Sequence, residues 1–159
     1  MNDLAMAIQL RREGQLVESN DILLELIGQN SDEAVLNYHV AWSFDLLGME
    51  SKAVPYYEKA IHNGLQDEDA LGAFIGLGST YRTIGEYEKS KNLFETGLER
   101  FPDNNVLQTF YAMTLYNVGQ YEKAMEILLI CLVKTTNDSG ITSYKRAIEF
   151  YADKLDTIW

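Results

Sequence analysis

Residues 74–102 read FIGLGSTYRTIGEYEKSKNLFETGLERFP, and they contain the clearest indication of the fold. Near the middle of this stretch lies Gly85, between two segments whose one proline, Pro102, is the last residue of the stretch. Glycines in similar short phrases recur at Gly14, Gly48 and Gly119, so successive glycines are 34, 37 and 34 residues apart. A nearly constant interval of this length is typical of a chain built from repeated supersecondary units.

The segments on both sides of each glycine have the pattern of amphipathic helices. Apolar residues return every three or four positions, which is the spacing of a helix that buries one face. The predicted buried face of the last such segment consists of Ala124, Leu128, Cys131 and Leu132. A small residue five positions after each glycine permits two helices to approach closely; these residues are Ser19, Ala53, Ser90 and Ala124. The pattern predicts four helix-turn-helix hairpins, because glycine adopts the left-handed conformation of a helix end without a Cβ clash.

The third unit also resembles a known family. Its residues Phe74-x2-Leu77-Gly78-x2-Tyr81, Ser90-x3-Phe94 and Pro102 fall at the spacing of the tetratricopeptide repeat, and the chain resembles the small stand-alone bacterial members of that family. The resemblance implies an all-α fold, a right-handed α-α superhelix of four repeats closed by a C-terminal capping helix. We expect one domain over residues 1–159, with repeats at about 1–33, 34–70, 71–104 and 105–138 and the capping helix at 139–159. The predicted N-caps of the first helices of repeats two to four are Ser31, Asp67 and Asp103.

The composition argues against several classes of partner. The net charge of −11 disfavours nucleic acid and anionic membranes, since phosphate contacts depend on Lys and Arg. We find no signal peptide and no apolar run long enough to span a membrane. A single cysteine, Cys131, fits a reducing compartment and a buried packing position, so we expect a cytoplasmic protein.

No motif indicates catalysis, a metal site or a cofactor. The two histidines, His39 and His62, have no Cys or His partner at ligand spacing. Gly72, Gly76 and Gly78 are not followed by the lysine of a phosphate loop, and we interpret them as positions where helices pack closely. The sequence therefore predicts no catalytic residue, no bound metal and no cofactor, and the protein is not expected to be an enzyme.

The family resemblance implies that the first helices of the repeats line a concave groove that holds a segment of another protein. Helical spacing predicts that the following residues face this groove: Tyr38, Trp42, Asp45, Ile75, Ser79, Arg82, Thr109, Met113, Tyr116 and Asn117. Arg11 occupies the position in the first repeat that Arg82 occupies in the third. Large aromatic side chains and arginine are enriched at interfaces. The competing interpretation is that Trp42 and Tyr116 pack on neighbouring helices or on the C-terminal helix and fill the groove themselves.

The sequence thus favours a protein-protein interaction module, an adaptor that binds a peptide or protein segment in the groove. One alternative is a sensor of a small peptide or other ligand in the same groove. Another is a self-associating scaffold, a homodimer formed through the groove or through Ile158 and Trp159. The identity of the partner does not follow from the sequence, because one repeat fold carries many functions.

Overall fold

A computed structural model describes residues 3–159, and this part of the chain consists of helices without strands. The bounds of the helices are α1 Asp3–Arg12, α2 Leu16–Gln29, α3 Ala34–Leu46, α4 Glu50–His62, α5 Asp67–Thr83, α6 Tyr87–Arg100, α7 Asn105–Asn117, α8 Tyr121–Thr135, α9 Ser139–Ser143 and α10 Lys145–Tyr151. The first eight helices occupy the segments for which the sequence predicted hairpins. The predicted all-α fold is therefore confirmed.

The chain divides into two compact units, Met1–Glu86 and Tyr87–Trp159. In the first unit each helix packs on the next from α1 to α5, and α3 also packs on α5. In the second unit α6 packs on α7, α7 on α8, α8 on α10 and α9 on α10. Contacts between neighbours along the chain are the rule in a stack of helical repeats. The boundary between the units falls between the two helices of the predicted third repeat.

The four turn glycines close their helices in the same way. At Gly48, φ is +69°. Its N–H donates to the carbonyl of Asp45 at 3.0 Å, and the N–H of Met49 donates to the carbonyl of Phe44 at 2.9 Å. This pair of bonds is the Schellman motif, which satisfies carbonyls left open at a helix end. The same bonds and positive φ angles occur at Gly14, Gly85 and Gly119.

The small residues that follow the turn glycines are buried, as the sequence predicted. Ser19, Ala53, Ser90 and Ala124 are at most 5% exposed. Two of them also form hydrogen bonds to the neighbouring helix. The Ser19 hydroxyl donates to the carbonyl of Ala7 at 2.7 Å, and the Ser90 and Thr114 hydroxyls lie 2.9 Å apart. Paired in this way, buried hydroxyl groups avoid the free-energy penalty of an unsatisfied polar atom.

The glycines of α5 allow two tyrosines of the first unit to lie against the helix backbone. The hydroxyl end of Tyr38 occupies the position that a Cβ atom on Gly72 would take. A Cβ atom on Gly76 would lie only 2.5 Å from the Tyr57 hydroxyl oxygen and 2.6 Å from its Cζ atom. Close helix packing was the prediction for these glycines, and it is confirmed.

Two expectations for the C-terminal part of the chain are corrected. The predicted capping helix is not continuous, because α9 ends at Ser143 and α10 begins at Lys145, after Tyr144. Thr142 and Ser143 donate their hydroxyls to the carbonyls of Asp138 and Gly140, which competes with a longer helix. In α8, Ala124 and Cys131 are buried, but Leu128 and Leu132 are exposed.

The helix caps also differ from the prediction. The N-caps of α3, α5 and α7 are Glu33, Gln66 and Asn104, in place of Ser31, Asp67 and Asp103. The Asn104 Oδ1 atom accepts a bond from the Leu107 N–H at 2.9 Å. Each observed cap lies one or two residues from the predicted one, because sequence patterns fix a helix boundary only to within a few residues.

Candidate functional site

The predicted site residues lie on the first helices of the hairpins. Those in the first unit are on α3 and α5, and those in the second unit are on α7. Their positions repeat relative to the turn glycines: Trp42, Ser79 and Met113 stand six residues before a glycine, and Asp45, Arg82 and Tyr116 stand three before. The two units are therefore described one after the other.

Trp42 is covered on one face by an arginine from α1. The guanidinium carbon of Arg11 lies 3.7 Å from the centroid of the indole ring. The indole also lies beside Tyr38, with a centroid distance of 5.8 Å, yet 38% of Trp42 remains exposed. A cation at this distance from an indole face is attracted by the ring electrons. Trp42 thus packs on neighbouring side chains and still presents an open surface.

His39 fixes the position of the Arg11 side chain. Its Nδ1 atom lies 3.3 Å from Nη1 and 3.4 Å from Nη2 of Arg11, and it can only accept these bonds. Burial, with the Arg11 charge as a second cause, lowers the pKa of His39 to about 4. The imidazole is therefore neutral near pH 7, which leaves its Nδ1 lone pair available to the guanidinium group. Burial also lowers the pKa of Arg11.

Two of the predicted contact residues, Tyr38 and Asp45, are engaged inside the first unit. Tyr38 is buried against α5. Asp45 accepts hydrogen bonds from the hydroxyl of Tyr57 at 2.8 Å and from that of Thr80 at 3.0 Å. Burial raises the pKa of Asp45, and these two hydrogen bonds oppose the increase. This bonded carboxylate links α3, α4 and α5.

The predicted residues of α5 are partly accessible. Ile75, Ser79 and Arg82 are each half-buried. The Nε atom of Arg82 is buried without a hydrogen-bond partner in residues 3–159. Neither Arg82 nor Arg11 forms an ion pair with a carboxylate within this part of the chain. In a protein of net charge −11, two half-buried cations without an acidic partner are notable.

In the second unit α7 presents two large side chains to solvent. Met113 and Tyr116 are exposed, and the Tyr116 ring meets Tyr121 edge-on at a centroid distance of 5.1 Å. Thr109 and Asn117 are half-buried. The Thr109 hydroxyl donates to the Asn105 carbonyl, and the Oδ1 atom of Asn117 is buried without a partner in residues 3–159. The C-terminal helix α10 packs on α8, the second helix of this hairpin.

The structure adds His39 to the residues that shape the site. From the sequence, His39 was a candidate only for a metal or catalytic site. Its contact with Arg11 was not predictable, because the two residues are 28 positions apart. Arg11 was detectable, since it stands three residues before Gly14, as Arg82 does before Gly85. Within residues 3–159, no group of three or more His, Cys, Asp or Glu side chains could hold a metal ion. Nor is any helix there long and apolar enough to cross a membrane.

Known proteins resemble this chain in both sequence and fold. Superkiller protein 3 of Saccharomyces cerevisiae is 26% identical over 106 residues, a match that covers 62% of this chain and 7% of that protein. The chain thus spans only a small part of this relative. YrrB, described as a TPR protein with an unusual peptide-binding site, superposes with a TM-score of 0.73 at 16% identity, over 97% of this chain and 77% of YrrB. MamA of Desulfovibrio magneticus RS-1 superposes with a TM-score of 0.75 at 14% identity, over 96% and 90% of the two chains.

These structural likenesses show a shared fold, that of tetratricopeptide solenoid proteins. The sequence evidence for the family is independent of them. Residues 34–155, well over half of the chain, match the family described as tetratrico peptide repeat. The protein belongs to the tetratricopeptide repeat family.

Proposed function

We propose that this protein is an adaptor that binds an extended peptide or protein segment on the faces of its first helices, without catalysis and in the cytoplasm. Its family and fold are those of protein-protein interaction modules. The observation that carries the proposal is the exposed Trp42, stacked on Arg11 at a face where neither Arg11 nor Arg82 has a carboxylate partner in residues 3–159.

This arrangement suits recognition because its polar and apolar parts are already in position. Holding Arg11 between His39 and Trp42 reduces the side-chain entropy lost on binding. A half-buried guanidinium forms stronger bonds to a carboxylate than an exposed one, since water screens it less. A peptide with an apolar residue next to an acidic one would satisfy both the indole and the arginine.

The predicted residues take two roles in this proposal. The proposed contact residues of the first unit are Trp42, Ile75, Ser79 and Arg82, and those of the second unit are Thr109, Met113, Tyr116 and Asn117. Tyr38 and Asp45 hold α3 against α5 and support the contact residues. The peptide-binding site named in the description of YrrB is consistent with such a use of this fold.

A peptide-display library panned on the immobilised protein tests the proposal. Selected peptides should contain acidic and apolar residues, and they should change the emission of Trp42 in a Trp159→Phe background. We expect Trp42→Ala and Arg82→Glu each to weaken binding by roughly tenfold or more. Trp159→Ala and Arg146→Glu are matched controls on other surfaces and should bind as wild type does. If Trp42→Ala and Arg82→Glu retain full affinity, the proposed site is wrong.

A further inference from the structure

A stripe of apolar residues on α8 is exposed, although its central position is buried in the other hairpins. Nine residues after the turn glycine stand Leu23, Tyr57 and Phe94, which are 0%, 2% and 0% exposed, whereas Leu128 at this position is 38% exposed. Tyr121, Met125 and Leu132 lie on the same face of α8 and are also exposed. We call these four residues the α8 stripe.

The other hairpins show what covers this position. Tyr57 lies under α5, with its hydroxyl against Gly76, and Phe94 stacks on Phe110 of α7 at a centroid distance of 6.5 Å. Gly76 and Phe110 each stand nine residues before the turn glycine of the following repeat. In both units, therefore, the first helix of the next hairpin provides the cover.

The helices that follow α8 in this chain, α9 and α10, do not cover the corresponding position on α8, Leu128. The segment just after α10 lies beside Glu122 and Glu126, with which it lines one cleft. Leu155 reaches the Tyr121 end of the stripe, but Leu128 and Leu132 stay exposed. The covering position of a first helix thus remains open on α8.

Helix α1 has the matching face. Eight residues before the turn glycine, Val40 and Leu77 are 0% and 2% exposed and Tyr111 is half-buried, whereas Met6 is 44% exposed. Ala5, the equivalent of Gly76 and Phe110, is small and exposed as well. The stripe on α8 and this face of α1 are the two halves of the contact that joins successive hairpins.

The exposed faces of α8 and α1 are both apolar at positions where two of the contacts between successive hairpins have a hydrogen-bonded polar pair. Glu58 and Glu95 stand ten residues after a turn glycine, and they accept hydrogen bonds from Tyr81 and Tyr111 of the following helix. On α8 this position is Leu129. At the positions of those two tyrosines, α1 has Leu10 and Met6. Apolar groups would therefore meet apolar groups, and no carboxylate or hydroxyl would lose its partner.

We propose that the α8 stripe of one chain binds the exposed face of α1 of a second copy, and continues the stacking of hairpins from one molecule to the next. Such a head-to-tail contact is heterologous, so each complex keeps one open α8 and one open α1. Each copy has a net charge of −11, so the copies repel each other. Salt should strengthen the association, because it screens this repulsion.

Sedimentation of the full chain at several concentrations tests the proposal. The wild type should show a mass that rises with concentration past twice the monomer mass of 18.1 kDa, more readily in high salt. Leu128→Arg removes the α8 surface and Met6→Arg the α1 surface, and each variant alone should be monomeric. Mixed together they should form a one-to-one dimer that grows no further, since each retains the surface that the other lacks.

Val106→Arg, a charge at an exposed apolar residue of α7 outside both surfaces, is the matched control and should associate as wild type does. Leu132→Arg replaces Leu128→Arg if circular dichroism shows that the latter is unfolded. A wild type that stays monomeric in high salt overturns the proposal. So does a Met6→Arg variant that still dimerises alone, which would indicate a two-fold contact between α8 helices, and so does a mixture that fails to dimerise.

Discussion

His39 shows how three side chains from two helices determine one another's state. The imidazole is buried on α3, and its neutral form accepts the guanidinium of Arg11 from α1. Protonation would place two positive charges within hydrogen-bond distance and would release the cation from Trp42. The proposed recognition surface therefore depends on a histidine that remains neutral.

This dependence predicts a loss of stability in mild acid. The folded His39 has a pKa of about 4 against an ordinary value of 6.5, so between these pH values the unfolded chain binds the extra proton. The free energy of unfolding should therefore fall as the pH is lowered from 6.5 to 4, by about 2 kcal/mol at pH 5. Urea unfolding at pH 7.5 and 5.0 measures this decrease in the free energy of unfolding. His39→Gln, which keeps an acceptor but does not titrate, should show a smaller decrease.

The glycine contacts of α5 predict opposite effects for two similar substitutions. Gly76→Ala should lower the free energy of unfolding by about 1–2 kcal/mol, because the methyl group would collide with the buried Tyr57 ring. Gly28→Ala, in α2, meets nothing within 4 Å and should raise it by up to about 1 kcal/mol. Thermal unfolding of both variants measures the two effects. If both substitutions stabilise the protein, the preference for alanine in helices outweighs the collision with Tyr57.

At the scale of the element, the helices and turns were predictable because their signals are local. The interval between glycines and the three-and-four spacing report where a helix reverses and which face is apolar. They do not report whether another helix covers that face, which is why Leu128 and Leu132 were expected to be buried. The break at Tyr144 was also missed, since the spacing of apolar residues does not encode the hydroxyl bonds that Thr142 and Ser143 form to the backbone beside it.

The helix caps allow a matched test in the second unit. Asn104→Ala removes the acceptor of the Leu107 N–H at the start of α7 and should lower the free energy of unfolding by about 1 kcal/mol. Gln120 caps α8 without a side-chain bond, so Gln120→Ala should change it little. Equal effects of the two substitutions, measured by urea unfolding, would contradict the assignment of Asn104 as a side-chain cap.

At the scale of the whole molecule, the excess of negative charge is the feature that most affects behaviour in solution. Most of the acidic side chains are exposed, and their mutual repulsion opposes the compact state. The candidate site could be predicted only in part at this scale. Helical position predicted that Trp42 and Arg82 are accessible, and they are at least partly so. The burial of Tyr38 and the bonds of Asp45 depend on contacts between helices, which helical position does not encode.

This excess of charge predicts that salt stabilises the fold. Raising NaCl from about 20 mM to about 200 mM should increase the melting temperature, by an amount equivalent to roughly 0.5–1 kcal/mol, because the screening length shortens. A variant with Glu18→Gln and Glu99→Gln, both exposed, should melt higher at low salt and respond less to added salt. A melting temperature that falls with salt would show that attractive ion pairs dominate.

The glycines of α5 also bear on the order in which the first unit folds. A helix of 17 residues that contains Gly72, Gly76 and Gly78 has a weak intrinsic tendency to form, so a peptide of residues 67–83 would be mostly coil in water. Its helical state depends on Tyr38 and Tyr57, which come from the preceding hairpin. During synthesis, α3 and α4 leave the ribosome before α5, so their tyrosine rings are available for α5 to pack against. We therefore expect α5 to become helical only after α3 and α4 have formed, because its stability depends on their tyrosines.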